Sequence, residues 1–373
     1  MLNETGSITA GIGKLVDILE GREFLIIPIV MTIFSLFGAV FGMCEEAMPF
    51  VLIFVPLAIS LGYDSIVGVS LTFLAAGVGF AGAFINPFTL QIAQGLSGIK
   101  PLSGMGYRIL IWLVVTGFTI AWVMVYAARI KKDPGRSPMY DFDEKRRKEL
   151  RKKQDEISKF SCRHGACLII LLLGIVFMIV GVVVFQWYIK EIAGLFLAMG
   201  LASAIVAGQG MNEIAGSFIK GCKDIVSAAL VVGFVGGIIV ILEDGGIMDT
   251  ILYYMAQSVS GMPKIIAADV QYVIQLAFNF FIPSGSTKAA LTMPVMAPLA
   301  DLSGITRQTA VLAYQLGDGF TNMIIPTSGV TVGTLAMAKI PYERWFKWNF
   351  PMQICFFIIS LVLLIWPVLT GWS

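Results

Sequence analysis

The sequence predicts an all-α polytopic membrane protein whose second half repeats the first, and three observations carry that prediction. The chain is 57% hydrophobic and 13% charged, with a mean hydropathy of +0.84. Soluble domains carry about twice that charged fraction. Apolar runs long enough for a bilayer recur along the chain. Polar, proline-marked interruptions then recur at one spacing. A shift of 242 positions carries Pro298, Leu299 and Ala300 onto Pro56, Leu57 and Ala58, and Ala289, Gly304 and Gly319 onto Ala47, Gly62 and Gly77. The same shift lays 284–288 over 42–46, and 326–329 over 84–87, without a gap. Paired interruptions at matching places in two halves point to the binding site of a secondary transporter built as an inverted repeat.

Taken in order, residues 6–19 predict a short amphipathic helix, with Ile8, Ile12, Leu15, Val16 and Leu19 apolar. An apolar helix at 25–43 runs into Glu45 and Glu46, and 48–61 leaves that turn, so the two make a hairpin tipped by carboxylates. Tyr63 and Asp64 predict a surface turn. The helix at 65–84 carries Gly68, Gly77, Gly79 and Gly82, which permit close packing. It breaks at Asn86 and Pro87, because proline lacks a donor and disfavours helix in the residue before it. Residues 107–128 span the membrane.

The segment 129–163 is dense in Lys and Arg, including Lys145, Arg146, Arg147, Lys148, Arg151, Lys152 and Lys153. The positive-inside rule places it in the cytoplasm. Seven acidic residues interleave with the basic ones, which argues for a solvated helical linker and against a nucleic-acid partner. It divides a first transmembrane repeat, 1–128, from a second, 165–373, with the linker at 129–164.

The second repeat predicts spans at 166–185 and 191–207, an amphipathic piece at 211–223 and an apolar run at 225–242. There follow a helix at 265–282, a Ser/Lys turn, a helix at 289–300, a surface turn with Arg307, a helix at 308–325, a break at Thr327 and Ser328, and a span at 350–369. Trp345, Trp348, Trp366 and Trp372 fit interfacial belts. The second repeat has two spans and an amphipathic piece that the first lacks, so the first repeat is expected to be short of its N-terminal helices by about 75 residues. The opening residues carry no basic stretch ahead of an apolar core, so no cleavable signal peptide is expected. Five cysteines suggest no disulfide framework. Cys162, His164 and Cys167 fit no common zinc spacing.

Ser284 to Lys288 pack hydroxyls and a charge into a membrane-depth turn, which is tolerable only inside protein or beside a wet cavity. The hydroxyls and amides of Ser284, Ser286, Thr287, Asn86, Thr89, Asn322, Thr327 and Ser328 can coordinate a hard cation or donate to a carboxylate. A Na+ ion is expected near Asn86, Ser284, Thr327 and Ser328. The shift makes Glu46 the mate of Lys288. If both tips reach the midplane, Lys288 suits a substrate carboxylate and Glu45 or Glu46 an ammonium; equally, Glu46 and Lys288 neutralise each other as a structural pair. Asp318, mid-helix, is expected to bind Na+ or a cationic side chain, or to be satisfied by Asn322 one turn along. No catalytic residue and no cofactor is expected, apart from Na+ or H+ as coupling ion.

The runs FGMCEEA (41–47), GFAGAFINPFT (79–89), IPSGSTKAALTMPVMAPLAD (282–301), RQTAVLAYQLGDGFTNMIIPTSGV (307–330) and AKIPYERWFKW (338–348) resemble the YfcC-like branch of the anaerobic C4-dicarboxylate carrier (DcuC) family, in the ion transporter superfamily. The resemblance covers nearly the whole chain. It implies an inverted-repeat transporter with two helical hairpins and two discontinuous helices, a homodimer in the lipid bilayer of the bacterial inner membrane, and an elevator motion. It places substrate and Na+ at Glu45, Glu46, 86–89, 284–288, Thr327 and Ser328. The expected activity is secondary transport, symport or antiport, of an amino acid, possibly basic. The alternative is a C4-dicarboxylate carrier. An intramembrane aspartyl protease using Asp64 and Asp318 is a remote alternative, and nothing suggests the ring or filter of a channel.

Overall fold

The computed structural model of the chain describes residues 22–156, 161–185, 189–247 and 261–372, with a few single residues besides. The amphipathic segment at 6–19 lies almost wholly outside them. All secondary structure among the described residues is helical.

Helix α1 (Ile26–Phe41) stops at Gly42, whose φ of 70° is the left-handed conformation glycine adopts freely. A 3-10 stretch, Glu45–Phe50, and α2 (Val51–Ser60) take the chain back. Phe34 meets Phe50 and Phe54 edge-on at 5.2 and 5.8 Å, closing this hairpin. Helix α3 (Ser65–Ala81) contains a π-helical turn at Ser70–Leu74. After a break at 82–89 the chain resumes as α4 (Leu90–Leu96) and α5 (Met105–Lys132). Helices α6 (Tyr140–Glu156), α7 (Cys162–Phe185), α8 (Ile189–Val206) and α9 (Met211–Asp244) follow.

Helices α10 (Lys264–Phe281), α11 (Gly285–Leu302), α12 (Arg307–Thr321), α13 (Gly329–Ala338) and α14 (Tyr342–Thr370) then repeat the order hairpin, broken helix, long helix. Moved back by 242, the bounds of α10 to α13 become 22–39, 43–60, 65–79 and 87–96, within a few residues of α1, of the 3-10 stretch and α2 taken together (45–60), of α3 and of α4. Among the described residues, Glu23–Phe41, Met105–Lys132 and Tyr342–Thr370 are long and apolar enough to cross a membrane.

Several expectations need correction. The segments 211–223 and 225–242 are one helix of 34 residues; they contain no proline, and polar residues alone do not end a helix. Helix α11 begins at Gly285, so the second tip shrinks to Ile282, Pro283 and Ser284, and Lys288 lies in the first turn. Pro283 precedes that helix, where its missing N–H costs nothing. Trp345 and Trp348 are buried instead of sitting in a belt. Trp345 Nε1 donates to the Met323 carbonyl at 2.9 Å, and Asn349 Nδ2 donates to the same oxygen at 3.0 Å. A carbonyl freed at the second break needed donors, and these two residues supply them.

The centre is packed backbone to backbone. A Cβ on Gly38 would lie 2.1 Å from the Ala76 carbonyl oxygen, and one on Gly79 1.8 Å from that of Ser35, so α1 and α3 touch with no side chain between them. The two broken helices cross each other. Gly77 lies against Met323, Gly319 against Ala81, and Gln315 Nε2 donates to the Phe80 carbonyl at 2.7 Å. Numbers rise along α3 as they fall along α12, so the two run antiparallel and their starts point in opposite directions.

At its start α3 is capped by Asp64, which accepts from the Val67 amide at 2.9 Å, from Ser137 at 2.6 Å and from Tyr126. Tyr63 and Asp64 are buried, not the surface turn expected, because the linker covers them. Asp143 of α6 accepts from the Ser65 amide at 2.7 Å, and Arg147 donates to the Tyr63 carbonyl at 3.1 Å. Arg146 donates to the Lys339 carbonyl at 2.8 Å, while Arg344 reaches Asp141 at 2.9 Å and the Pro138 carbonyl. One helix thus ties the start of α3 to the turn after α13. At the opposite end Thr306 caps α12 and donates to the Trp372 carbonyl at 2.6 Å. Arg307 donates to the Ser97 carbonyl at 2.8 Å, and Gln308 to Ser103 at 2.8 Å. There the start of α12 meets the turn after α4.

Burial pushes the Asp64 carboxyl above its ordinary range, against the pull of its bonds from Ser137, Tyr126 and Val67. Burial raises Asp143 too, with the Asp64 charge adding to it. The folded state therefore holds protons that the unfolded chain has released, so stability falls as pH rises from the ordinary carboxylate range through the raised folded values. Thermal melting across that window is expected to show this slope, and Asp64→Asn to flatten it.

Candidate functional site

Around the crossing of the broken helices sits a buried ion pair. Lys288, in the first turn of α11, places Nζ 2.9 Å from Asp318 Oδ1 on α12, and both side chains have 0% exposure. The ammonium also donates to Asn279 Oδ1 of α10 at 3.0 Å and lies 5.2 Å from the centre of the Tyr314 ring. Asn279 Nδ2 in turn donates to Thr321 at 2.7 Å, to Asn322 Oδ1 at 3.0 Å and to the Asp318 carbonyl at 3.1 Å. Tyr314 donates to the Gly285 carbonyl at 2.6 Å, fixing the second hairpin to α12.

This overturns two expectations. Lys288 pairs with Asp318 and not with Glu46, and Asp318 is not satisfied by Asn322, whose side-chain oxygen takes Asn279 instead. Glu46 accepts from the Cys44 amide at 3.2 Å within its own tip. A lysine already committed to Asp318 and Asn279 is also poorly placed to meet a substrate carboxylate.

The remaining expected residues gather around the same crossing. Gly285 touches both sides of it: a Cβ there would lie 2.6 Å from Thr89 Cγ2 and 2.9 Å from Asp318 Oδ2. Gly42, at the first tip, lies against the Asn86 side chain. The amides of Ile85 and Asn86 donate to the Ala39 carbonyl at 3.3 and 3.1 Å, which fastens the first break to α1. Asn86 Oδ1 accepts from the amides of Phe88 and Thr89, and Ser328 caps Thr331. These two oxygens therefore serve the backbone at the breaks, where Na+ had been expected. Ser284 donates to Thr287 at 3.1 Å, both exposed, and Ser286 is half-buried beside them. Glu45 is exposed and Glu46 half-buried.

Several buried polar atoms here have no hydrogen-bond partner among the described residues: Thr89 Oγ1, Thr327 Oγ1, Asp318 Oδ2, Gln315 Oε1 and Asn86 Nδ2. Native interiors rarely leave such atoms orphaned, which makes the crossing a candidate functional site. The oxygens could face a cation, and Asn86 Nδ2 could donate to an anion. Sequence reasoning missed Asn279 and Tyr314. Gln271, Gln275 and Asn279 stand four apart in an otherwise apolar helix, and that polar stripe was the available signal for the first.

Asp64 and Asp318 are not brought together. Ala81 lies against Gly319, and α3 separates it from Asp64 by about 25 Å at 1.5 Å per residue. Two carboxylates so placed cannot share a catalytic water.

The chain matches the family described as "C4-dicarboxylate anaerobic carrier" (DcuC) over residues 1–369. It is 40% identical, over 99% of its length and 74% of the relative's, to the Escherichia coli (strain K12) protein named "Putative basic amino acid antiporter YfcC". It is 38% identical, over 98% of its length and 72% of the relative's, to a protein of Haemophilus influenzae that bears no functional name. Among solved structures, the Alcanivorax borkumensis YdaH transporter is similar with a TM-score of 0.49 and 14% identity, over 98% of this chain and 85% of that one. The family match and these identities make the chain a YfcC-like member of the C4-dicarboxylate anaerobic carrier family.

Proposed function

We propose that the chain is a secondary active transporter that moves a basic amino acid across the bacterial inner membrane, coupled to Na+ or H+. The observation that carries this reading is the meeting of two helix breaks and two hairpins around one buried ion pair, with the broken helices antiparallel. The contacts support an internal two-fold axis: under the 242 shift, Gly77 against Met323 exchanges with Gly319 against Ala81. A two-fold that reverses direction is the signature of an inverted repeat, whose site lies at the repeat interface. The linker is then cytoplasmic by its basic content, and the working unit a homodimer, as in the family that the sequence resembles.

The charge balance favours a cationic substrate. Among the described residues of the site, three carboxylates, Glu45, Glu46 and Asp318, stand with one cation, Lys288, already paired with Asp318, so the first tip can take an ammonium or guanidinium. The N-terminus of α11 has no side-chain cap, which leaves its first amides for the substrate carboxylate. The E. coli relative's name agrees with this chemistry. The family's description favours the second reading, a C4-dicarboxylate carrier, for which two carboxylates at the first tip are the wrong charge.

Thermal unfolding of the purified protein with arginine, ornithine, succinate or fumarate tests the choice. A ligand that binds only the folded state raises the melting point. Arginine is expected to do so, and Glu46→Gln to weaken the effect by tenfold or more in concentration, roughly the loss of one charged contact. A succinate shift insensitive to Glu46 would overturn the amino acid reading.

A further inference from the structure

We infer that the ammonium of Lys288 is the resident cation of this site: tethered to α11, it holds the place a coupling Na+ would take on Asp318, and the carrier runs on protons without Na+. The inference rests on the transporter reading and names its coupling ion.

The ammonium is held as a small cation would be. Its oxygen neighbours come from two other helices, Asp318 Oδ1 at 2.9 Å and Asn279 Oδ1 at 3.0 Å, and the face of Tyr314 covers it. With both side chains fully buried, one positive and one negative charge already balance. A Na+ ion added at Asp318 would sit beside the buried ammonium, where like charges repel more strongly than in bulk water. Lysine, unlike Na+, can vacate its charge without leaving, because it gives up a proton.

The pair is also incompletely satisfied. Asp318 Oδ2 has no donor among the described residues, although it lies beside Gly285 at the start of the helix that carries Lys288. A purely structural buried pair needs its remaining lone pairs filled to offset desolvation. This one keeps an oxygen in reserve next to Thr89 and the second tip. When a cationic group docks on Oδ2, Lys288 Nζ–H⁺ releases its proton to water and becomes a neutral amine that still bonds Asn279. One positive charge enters and one leaves, so cationic substrate and proton exchange one for one. Among the described residues, Tyr314 of α12 is the titratable group whose ring faces the pair, and Cys44, Glu45 and Glu46 are carried by the first tip; α10 and the start of α4 present Asn279 and Thr89, which do not titrate.

The test is thermal unfolding in NaCl against choline chloride at equal ionic strength, which needs no transport. The wild type is expected to melt alike in both. Lys288→Ala, with Asp318 laid open, is expected to melt about 2–4 °C or more higher in NaCl, or in ethylammonium chloride, than in choline. That gain should vanish in Lys288→Ala/Asp318→Asn. A wild type stabilised by Na+ and losing this in Asp318→Asn would overturn the inference, as would a folded Lys288→Ala indifferent to every small cation. If Lys288→Ala does not fold, Lys288→Gln serves, with arginine as probe. Wild type should release about one proton per arginine bound and Lys288→Gln none, whereas equal release would overturn the inference. Failure of arginine to bind the wild type at all would instead count against the amino acid reading, while the Na+ comparison still stands.

Discussion

Replacing Lys288 by methionine is expected to destabilise the protein by about 3–5 kcal/mol in Na+-free buffer, the usual cost of leaving one member of a buried ion pair alone. Among the described residues Lys288 is the cation paired with Asp318, and the second carboxylate oxygen is already without a donor there. The effect should largely reverse when Asp318→Leu is added, because two apolar groups no longer bury a charge. Chemical unfolding of the wild type, both single variants and the double variant yields the coupling directly. Equal losses in the single and double variants would mean that the pair is not an energetic unit. The double variant is expected to fold and not to transport, which separates what the pair does for stability from what it does for function.

Gly79→Val is expected to be at least as damaging, at or beyond the upper end of the roughly 1–3 kcal/mol that overpacking costs. The atom it would meet is the Ser35 carbonyl oxygen, at 1.8 Å from the first carbon of the new side chain. That oxygen belongs to a helix and cannot swing away as a side-chain tip would. Gly117→Ala is the control: no atom lies within 4 Å of its added carbon, so helix propensity should stabilise it by about 0.5–1 kcal/mol. Melting points and the monodisperse yield of the two variants should therefore move in opposite directions.

The places of the hairpins and breaks were legible from their spacing in the sequence. One shift of 242 placed the hairpins and both broken helices within a few residues, since tips and breaks need proline, glycine and hydroxyls that apolar spans do not. The partner of Lys288 was not legible. Symmetry suggested Glu46, and spacing suggested Asn322 for Asp318, but the pairing follows from α11 and α12 lying side by side at one depth. No periodicity within either helix encodes that depth. The burial of Trp345 was hidden for the same reason: it answers a carbonyl freed in another element, at Met323. Asp64 looked exposed because a turn between apolar runs usually is, and nothing local announced that a basic linker would return to cover it.

The glycine contacts at the centre have a mechanical consequence. Helices that meet through side chains can slide, because rotamers give way in small steps. Where Gly38 rests on Ala76, Gly79 on Ser35 and Gly319 on Ala81, backbone bears on backbone and no compliant layer lies between. Helices α1 and α3 therefore form a stiff pair, and a displacement of the first hairpin should carry the first break, which is fastened to the Ala39 carbonyl, along with it.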